Sequence, residues 1–146
     1  MTAEETVEET VVDTEAKVAG DIMTQPAVAA SRTTTARDIA IQMFLGGFSG
    51  VPVTERDGSI IGLVTEFDII RAVQAGKPVA TTVAEEIMTR DVVTVDVDTP
   101  IQEVVDVLEK ERFLRVPVTE SGLLVGVVSR PDVLRWLVEP NFMTFG

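Results

Sequence analysis

The stretch that decides the fold occurs twice: FSGVPVTE at residues 48–55 returns as FLRVPVTE at residues 113–120. A second pair of blocks, VAGDIMT at residues 18–24 and VAEEIMT at residues 83–89, keeps the same offset of 65 residues. One residue is lost in the turn that follows, where ERDGS in the first copy matches ESGL in the second. Such self-similarity at a fixed offset indicates that one structural unit of about 60 residues has been used twice.

Each copy has the pattern strand, helix, strand, strand, helix. A short apolar strand is predicted over 27–30 and 92–96, and apolar residues at helical spacing follow it. In the second copy Thr99 is the expected N-cap of that helix, with Pro100 as its first residue and Gln102 completing a capping box. Two valine-rich strands joined by a tight turn then predict a hairpin, and a closing helix is expected over 68–74 and 132–138.

The pattern predicts an α+β fold: two pseudo-symmetric repeats, each a small three-stranded sheet with two helices, packed through their sheets. Packing of the two is expected because one such sheet is too small to be stable alone. The expected organisation is an acidic, disordered tail over 1–16, repeat 1 over 17–74, a linker over 75–82, repeat 2 over 83–139 and a C-terminal tail over 140–146.

The amino-acid composition argues against several classes of function. The chain of 146 residues has no cysteine and no histidine, which argues against disulfides, thiolate zinc sites and the commonest general base. A net charge of −12 argues against binding to nucleic acid, whose phosphates require clustered lysine and arginine. No apolar run is long enough for a membrane span and no targeting segment is apparent, so a cytoplasmic protein is expected.

Three motifs, each present twice, resemble the CBS domain: DIMT at 21–24, VPV at 51–53 and the glycine-to-aspartate segment at 62–68, with second copies at 86–89, 116–118 and 126–132. The resemblance covers roughly residues 15 to 139. It implies a tandem CBS pair, or Bateman module, standing alone. In that family the clefts between two repeats often bind AMP, ADP, ATP, S-adenosylmethionine or related adenosyl ligands, and modules usually form dimers.

The resemblance also implies roles for particular residues. Thr65 and Ser129 would contact phosphate, while Asp68 and Asp132 would accept hydrogen bonds from ribose hydroxyls. Arg115 would reach phosphate in the second copy, where the first copy has Gly50, so unequal sites are expected. The adenine ring would lie against the segments that follow the two IMT sequences: Pro26, Ala27, Val28, Val92 and Val93.

A purely structural interpretation of the same side chains stays open. Thr65 and Asp68, like Ser129 and Asp132, have the spacing of a helix-capping box, and capping alone would account for both pairs. A helix N-terminus is also a ready anion site, so the two interpretations are compatible.

We therefore expect a non-catalytic, ligand-sensing regulatory module without metal or required cofactor, acting on an unidentified protein target. The alternative is a ligand-free, dimeric interaction module; a hydrolase that works through carboxylates is a weaker rival. A homodimer is predicted because the closing helices are more apolar than one small sheet can cover. The apolar positions concerned are Ile69, Ile70, Val73, Val133, Leu134 and Leu137.

Overall fold

The computed structural model describes residues 16–145, so the predicted acidic tail lies outside the described residues except for Ala16. In chain order the elements are α1 (Ala19–Ile22), α2 (Ala36–Gly46), β1 (Gly50–Thr54), β2 (Ile60–Thr65), α3 (Glu66–Gln74), α4 (Ala84–Ile87), β3 (Val95–Asp96), α5 (Ile101–Glu111), β4 (Arg115–Glu120), β5 (Leu123–Ser129) and α6 (Arg130–Phe145). This mixture of helices with two small sheets confirms the predicted α+β class. Within residues 16–145 no helix is long and apolar enough to cross a membrane.

The chain forms two compact units, and each unit takes chain from both sequence repeats. The Asp68 unit consists of Ala27–Val93 and Ser121–Leu124. Among the described residues, the Asp132 unit consists of 16–26, Thr94–Glu120 and 125–145. The block VAGDIMT (18–24) therefore folds with the body of repeat 2, and the block VAEEIMT (83–89) folds with the body of repeat 1.

The Asp68 unit is built on the antiparallel hairpin of β1 and β2, in which Val51 lies opposite Val64. Alternation along the strands turns valines to one face, and Val51, Val53 and Val64 are at most 1% exposed. The helix α2 covers this face with Ile39, which is fully buried. Thr35 caps α2 by accepting a hydrogen bond from the Asp38 amide at 3.1 Å.

The strand expected after each IMT sequence is shorter than predicted. In the range 27–30 only Ala30 bridges to β1, parallel to Val53, with its amide donating to the Pro52 carbonyl oxygen at 2.8 Å. In the range 92–96 only Val95–Asp96 forms the strand β3. The parallel direction is consistent with a connection that passes through a helix between the paired strands.

The Asp132 unit repeats the arrangement with a three-stranded sheet in the order β3-β4-β5. The strand β3 runs parallel to β4, with Val95 opposite Val118. The core of the unit contains Val104, Val116, Val118 and Val128, none of them measurably exposed. The helix α1 joins this core through Ala19, whose amide donates to the Thr99 carbonyl oxygen at 2.8 Å.

The predicted cap of α5 is wrong by one residue. Pro100, not Thr99, is the N-cap, and its side chain makes no capping bond. The Thr99 hydroxyl oxygen instead accepts a hydrogen bond from the Asp96 amide at 2.9 Å, which closes the turn before the helix. Gln102 donates to Asp106 at 3.2 Å along the helix rather than back to a cap. A local turn therefore competes successfully for the threonine side chain.

The closing helices begin earlier than predicted, at Glu66 and Arg130, because Asp68 and Asp132 occupy the first turn rather than the first position. The helix α6 also continues past 138 to Phe145, so the segment expected as a C-terminal tail (140–146) is helical through Phe145. The segment expected as a linker, 75–82, packs onto the start of α2: the Thr82 carbonyl oxygen accepts from the Ala36 amide at 2.7 Å.

Candidate functional site

The first candidate site begins with a complete capping box at the start of α3. The Thr65 hydroxyl oxygen accepts from the Asp68 amide at 3.2 Å, and Asp68 Oδ2 accepts from the Thr65 amide at 2.8 Å. These reciprocal bonds satisfy two backbone donors that the helix itself cannot use. They also hold the Asp68 carboxylate in one orientation with only 9% of the residue exposed. The predicted capping role of Thr65 and Asp68 is confirmed.

The second sequence block completes this site inside the Asp68 unit. Leu63 and Thr89 exchange two backbone hydrogen bonds of 2.8 Å, which seat Thr89 beside β2. The Thr89 hydroxyl donates to Asp68 Oδ2 in a long contact of 3.5 Å. Glycine is needed at position 62 because a side chain there would meet the Met88 sulfur and its neighbouring carbon atoms.

The site in the Asp132 unit has the same plan and more hydrogen bonds. Asp132 Oδ2 accepts from the Ser129 amide at 2.8 Å and from the Ser129 hydroxyl at 2.9 Å. The Thr24 hydroxyl, which comes from the first sequence block, lies 3.1 and 3.2 Å from the two carboxylate oxygens of Asp132. Asp132 is 5% exposed and Ser129 is 9% exposed. The side chains of the two repeats therefore meet at this carboxylate.

Close backbone approach explains the glycine of the second motif copy. Thr24 and Val127 exchange backbone hydrogen bonds of 2.8 and 3.1 Å beside Gly126. A Cβ atom at Gly126 would lie 2.9 Å from the Thr24 carbonyl oxygen and 2.8 Å from the Met23 sulfur. Only glycine lets the first block lie this close to β5.

An arginine one turn along each closing helix reaches the same carboxylate. Arg71 donates to Asp68 Oδ1 at 3.2 Å, and Arg135 donates to Asp132 Oδ1 at 3.3 Å. The arginine side chains are 67% and 60% exposed, whereas the aspartate side chains are almost buried. In the Asp68 unit, one carboxylate oxygen is held by backbone and hydroxyl donors and the other pairs with a largely solvated cation. In the Asp132 unit, the Thr24 hydroxyl also reaches the oxygen that pairs with Arg135.

Arg115 and Gly50 occupy equivalent places at the start of β4 and β1. Gly50 is the register partner of Thr65, so this position lies beside the capping threonine. Arg115 is half-buried. The two units therefore carry different side chains at this position, and the expectation of two unequal binding sites stays a prediction.

The structure places the residues expected to hold the adenine ring in loop segments outside the helices and strands. Pro26 ends the first stretch of the Asp132 unit, while Ala27 and Val28 begin the Asp68 unit, which also contains Val92 and Val93. Ala27 and Val92 are half-buried, and Val28 and Val93 are 39% and 36% exposed. The roles expected for these five residues stay predictions.

An exposed ion-pair cluster of the Asp68 unit involves none of the side chains of the carboxylate site. Arg32 pairs with Glu55 at 2.5 Å and with Glu85 at 2.6 Å. The hydrogen bonds from Arg32 lower the pKa of Glu55, and those two carboxylates raise the pKa of Arg32. Because Glu85 belongs to α4, this ion pair ties the second sequence block to the body of repeat 1.

Sequence reasoning missed Thr24, Thr89, Arg71 and Arg135 as site residues. The available signal was repetition: both threonines end an IMT sequence, and both arginines follow the motif aspartate by three residues. The two blocks show that the chain repeats, but nothing in one repeat shows that its threonine reaches the aspartate of the other.

Comparison with known proteins agrees with this architecture. The sequence model of the CBS domain matches residues 18–75 and 83–139. An uncharacterized protein of Methanopyrus kandleri is 32% identical over 123 residues, which are 83% of this chain and 62% of that protein. The chain therefore spans less than two thirds of the length of that relative.

Solved structures share the fold. The chain resembles Hypoxic Response Protein I with two coordinated zinc ions at 30% identity and TM-score 0.72, over 82% of this chain and 98% of that one. It resembles the CBS domain pair of protein MJ0100 in complex with 5′-methylthioadenosine and S-adenosyl-L-methionine at 27% identity and TM-score 0.70, over 84% and 96%. The cytosolic domain of the Mg²⁺ channel MgtE in complex with ATP gives 27% identity and TM-score 0.69, over 88% and 52%.

The duplicated motifs, the two carboxylates that each collect donors from both repeats, and the double match to the family model lead to one conclusion. The chain belongs to the CBS-domain family and contains two CBS domains.

Proposed function

We propose that this CBS pair is a non-catalytic regulatory module that binds an adenosyl ligand at Asp68, at Asp132, or at both. The carrying observation is a nearly buried carboxylate in each unit that is oriented by donors from both sequence repeats. A fixed carboxylate that pairs with an exposed arginine is suited to accept hydrogen bonds from the hydroxyls of a ribose. Ligand bound there would contact chain from both repeats, so binding would be sensitive to their arrangement.

The ligands of two relatives support the adenosyl class. The CBS pair of MJ0100 was solved with 5′-methylthioadenosine and S-adenosyl-L-methionine, and the MgtE cytosolic domain was solved with ATP. These ligands share adenosine and differ in the tail attached to it. The regulatory ligand we propose is therefore an adenine nucleotide (AMP, ADP or ATP). S-adenosylmethionine, which has a different tail on the same adenosine, is the alternative ligand.

Arg115 supports a phosphate tail in the Asp132 unit. Its guanidinium can form the paired, charge-assisted hydrogen bonds that phosphate prefers. Backbone donors are fewer at this helix start, because Pro131 has no N–H where the Asp68 unit has Phe67. An arginine beside Ser129 supplies donors that the helix start of α6 lacks.

Zinc, which Hypoxic Response Protein I coordinates, does not fit this chain. The sequence has neither histidine nor cysteine, the side chains that zinc prefers. Among the described residues no three acidic side chains are grouped so that they could hold a metal ion. We propose no metal site.

The mechanism we propose is a population shift in which ligand favours one arrangement of the module that a partner protein recognises. A ligand can shift such an equilibrium only through its different affinities for the two arrangements. The expectation of a cytoplasmic location stays a prediction from composition, and the protein target is unidentified.

The alternative, a ligand-free dimeric interaction module, is favoured by one observation. The outer faces of the closing helices are apolar and open to solvent: Ile70 is 47% exposed, Val73 52%, Leu134 59% and Leu137 56%. Exposed apolar faces of this kind mark interfaces. We propose that they form a homodimer, which either function would use.

Titration calorimetry of adenosine, AMP, ATP and S-adenosylmethionine against the full chain separates the two functions. We expect binding of at least one ligand, weakened tenfold or more in Asp132→Asn or in Asp68→Asn, since each removes a charged acceptor. Asp38→Asn is the matched control, because Asp38 also occupies the third position of a threonine-capped helix but lies outside both sites. Absence of heat with all four ligands would favour the interaction module.

A further inference from the structure

The helix α3 carries an open groove beside the Asp68 carboxylate. The groove has a volume of about 260 Å³ and is lined by Asp68, Arg71, Ala72, Ala75, Lys77 and Ile87. This volume is below the roughly 300–1,000 Å³ of pockets that enclose a whole drug-sized ligand. It is therefore suited to one part of a ligand rather than to all of it.

A glycine turn forms one wall of the groove. Gly76 has a φ of +86°, which reverses the chain after α3, and the Lys77 amide then donates to the Ala72 carbonyl oxygen at 2.9 Å. This brings Lys77 back over the last turn of the helix, while Ala72 and Ala75 leave space beneath it. Among the side chains that the structure describes, no ion pair involves the Lys77 ammonium.

The equivalent positions of the other repeat carry different chemistry. Trp136 stands where the first repeat has Ala72, and Glu139 stands where it has Ala75. Trp136 is half-buried and packs against the core of the Asp132 unit. The sequence has Asn141 in place of Lys77, and α6 runs on to Phe145 instead of turning at a glycine.

The positive charge of the groove favours an anionic ligand. Arg71 and Lys77 place two cations on one groove of a chain whose net charge is −12. Arg71 now shares Asp68 Oδ1, at 3.2 Å, and also lies 5.8 Å from the centre of the Phe67 ring. A hydroxyl that donated to Asp68 would compete with this single arginine bond and leave the guanidinium able to turn toward an anion.

We propose that the groove is a phosphate subsite of the Asp68 unit, held by Arg71 and Lys77. Gly50 leaves this unit without a counterpart of Arg115, and the groove supplies cationic charge from α3 instead. The two units thus bind phosphate through different residues. This subsite rests on the proposed function, because its phosphate would belong to a nucleotide whose ribose lies at Asp68. Inorganic pyrophosphate carries the same phosphate groups without the nucleoside.

The test compares Lys77→Gln with Lys110→Gln, which removes the same charge from an exposed position on α5 outside both sites. Calorimetric titrations with adenosine, AMP and ATP are expected to show ATP affinity about three- to fivefold weaker in Lys77→Gln, as for a solvated ion pair, with adenosine affinity unchanged. Lys110→Gln should match the wild type. Equal ATP affinities in the two variants would overturn the proposal.

A second variant and a second ligand keep the test decisive. Ala72→Trp, made together with Asp132→Asn so that nucleotide binding reports on the Asp68 unit, introduces the indole of the other repeat into the groove. It should remove the ATP preference over adenosine, and retention of that preference would contradict the subsite. If no adenosyl ligand binds the wild type, the proposed function fails, and phosphorus-31 NMR with inorganic pyrophosphate tests the groove alone. Pyrophosphate binding that Lys77→Gln weakens supports a phosphate site, and no binding overturns it.

Discussion

Replacing Gly126 with alanine probes the contact that seats the first sequence block on β5. The new Cβ would lie 2.9 Å from the Thr24 carbonyl oxygen and 2.8 Å from the Met23 sulfur. The sulfur can rotate away, but the carbonyl belongs to a backbone held by two hydrogen bonds. Overpacking of this kind costs about 1–3 kcal/mol. At roughly 2–4 °C per kcal/mol for a chain of this size, the melting temperature should fall by about 2–12 °C.

Gly50→Ala is the matched control, because its Cβ would make only ordinary contacts of 3.7 Å with Leu63 and with the Val64 carbonyl oxygen. Both variants gain the same benefit from a less flexible unfolded chain, so their difference isolates the contact. Gly62→Ala should fall between them, since it meets mainly the flexible Met88 side chain. Thermal unfolding followed by circular dichroism gives the order. Melting of Gly126→Ala within 1 °C of Gly50→Ala would refute the reasoning.

Three other predictions follow from the described contacts. Hydrogen bonds from Arg32 lower the pKa of Glu55, so this pair stabilises the fold above the ordinary glutamate pKa of 4.5, and its contribution is lost as the pH falls below that value. In Arg32→Gln, the stability measured by urea unfolding should therefore depend less on pH in the acid range. An unchanged pH dependence would contradict the pairing. Trp136, the single tryptophan, lies one turn beyond Asp132, so its fluorescence should respond to ligand in wild type but not in Asp132→Asn; an equal response in both would place the ligand elsewhere. Leu134→Glu introduces charge on the exposed face of α6 and should shift sedimentation from dimer to monomer, whereas a monomeric wild type would refute the dimer.

The fold class could be predicted from the sequence because each motif occurs twice. Each strand, turn and capping box could be checked against its second copy, and the valine alternation at 51–53 and 116–118 reappears as the most buried part of each unit. The local competition at Thr99 was not predictable, because its hydroxyl can serve either the helix or the turn before it.

The candidate site was predicted only as far as single segments allow. Thr65 with Asp68 and Ser129 with Asp132 were found because each pair is three residues apart. Thr24 lies 108 positions before Asp132 and reaches it only because the first block folds with the second repeat. The groove at Lys77 depends on the small size of Ala72 and on the turn at Gly76. The sequence alone does not show that these residues line one groove.

Thermal unfolding of the wild type and of the Asp68→Asn, Asp132→Asn double variant, each with adenosine, AMP, ATP and S-adenosylmethionine, tests the central claim most directly. A ligand present at about 100 times its dissociation constant stabilises the state that binds it by roughly 2.7 kcal/mol. The account predicts a rise in melting temperature for the wild type with at least one ligand and no rise for the double variant. An equal rise in both proteins would show that the ligand does not bind at these carboxylates, and no rise in either would contradict adenosyl binding altogether.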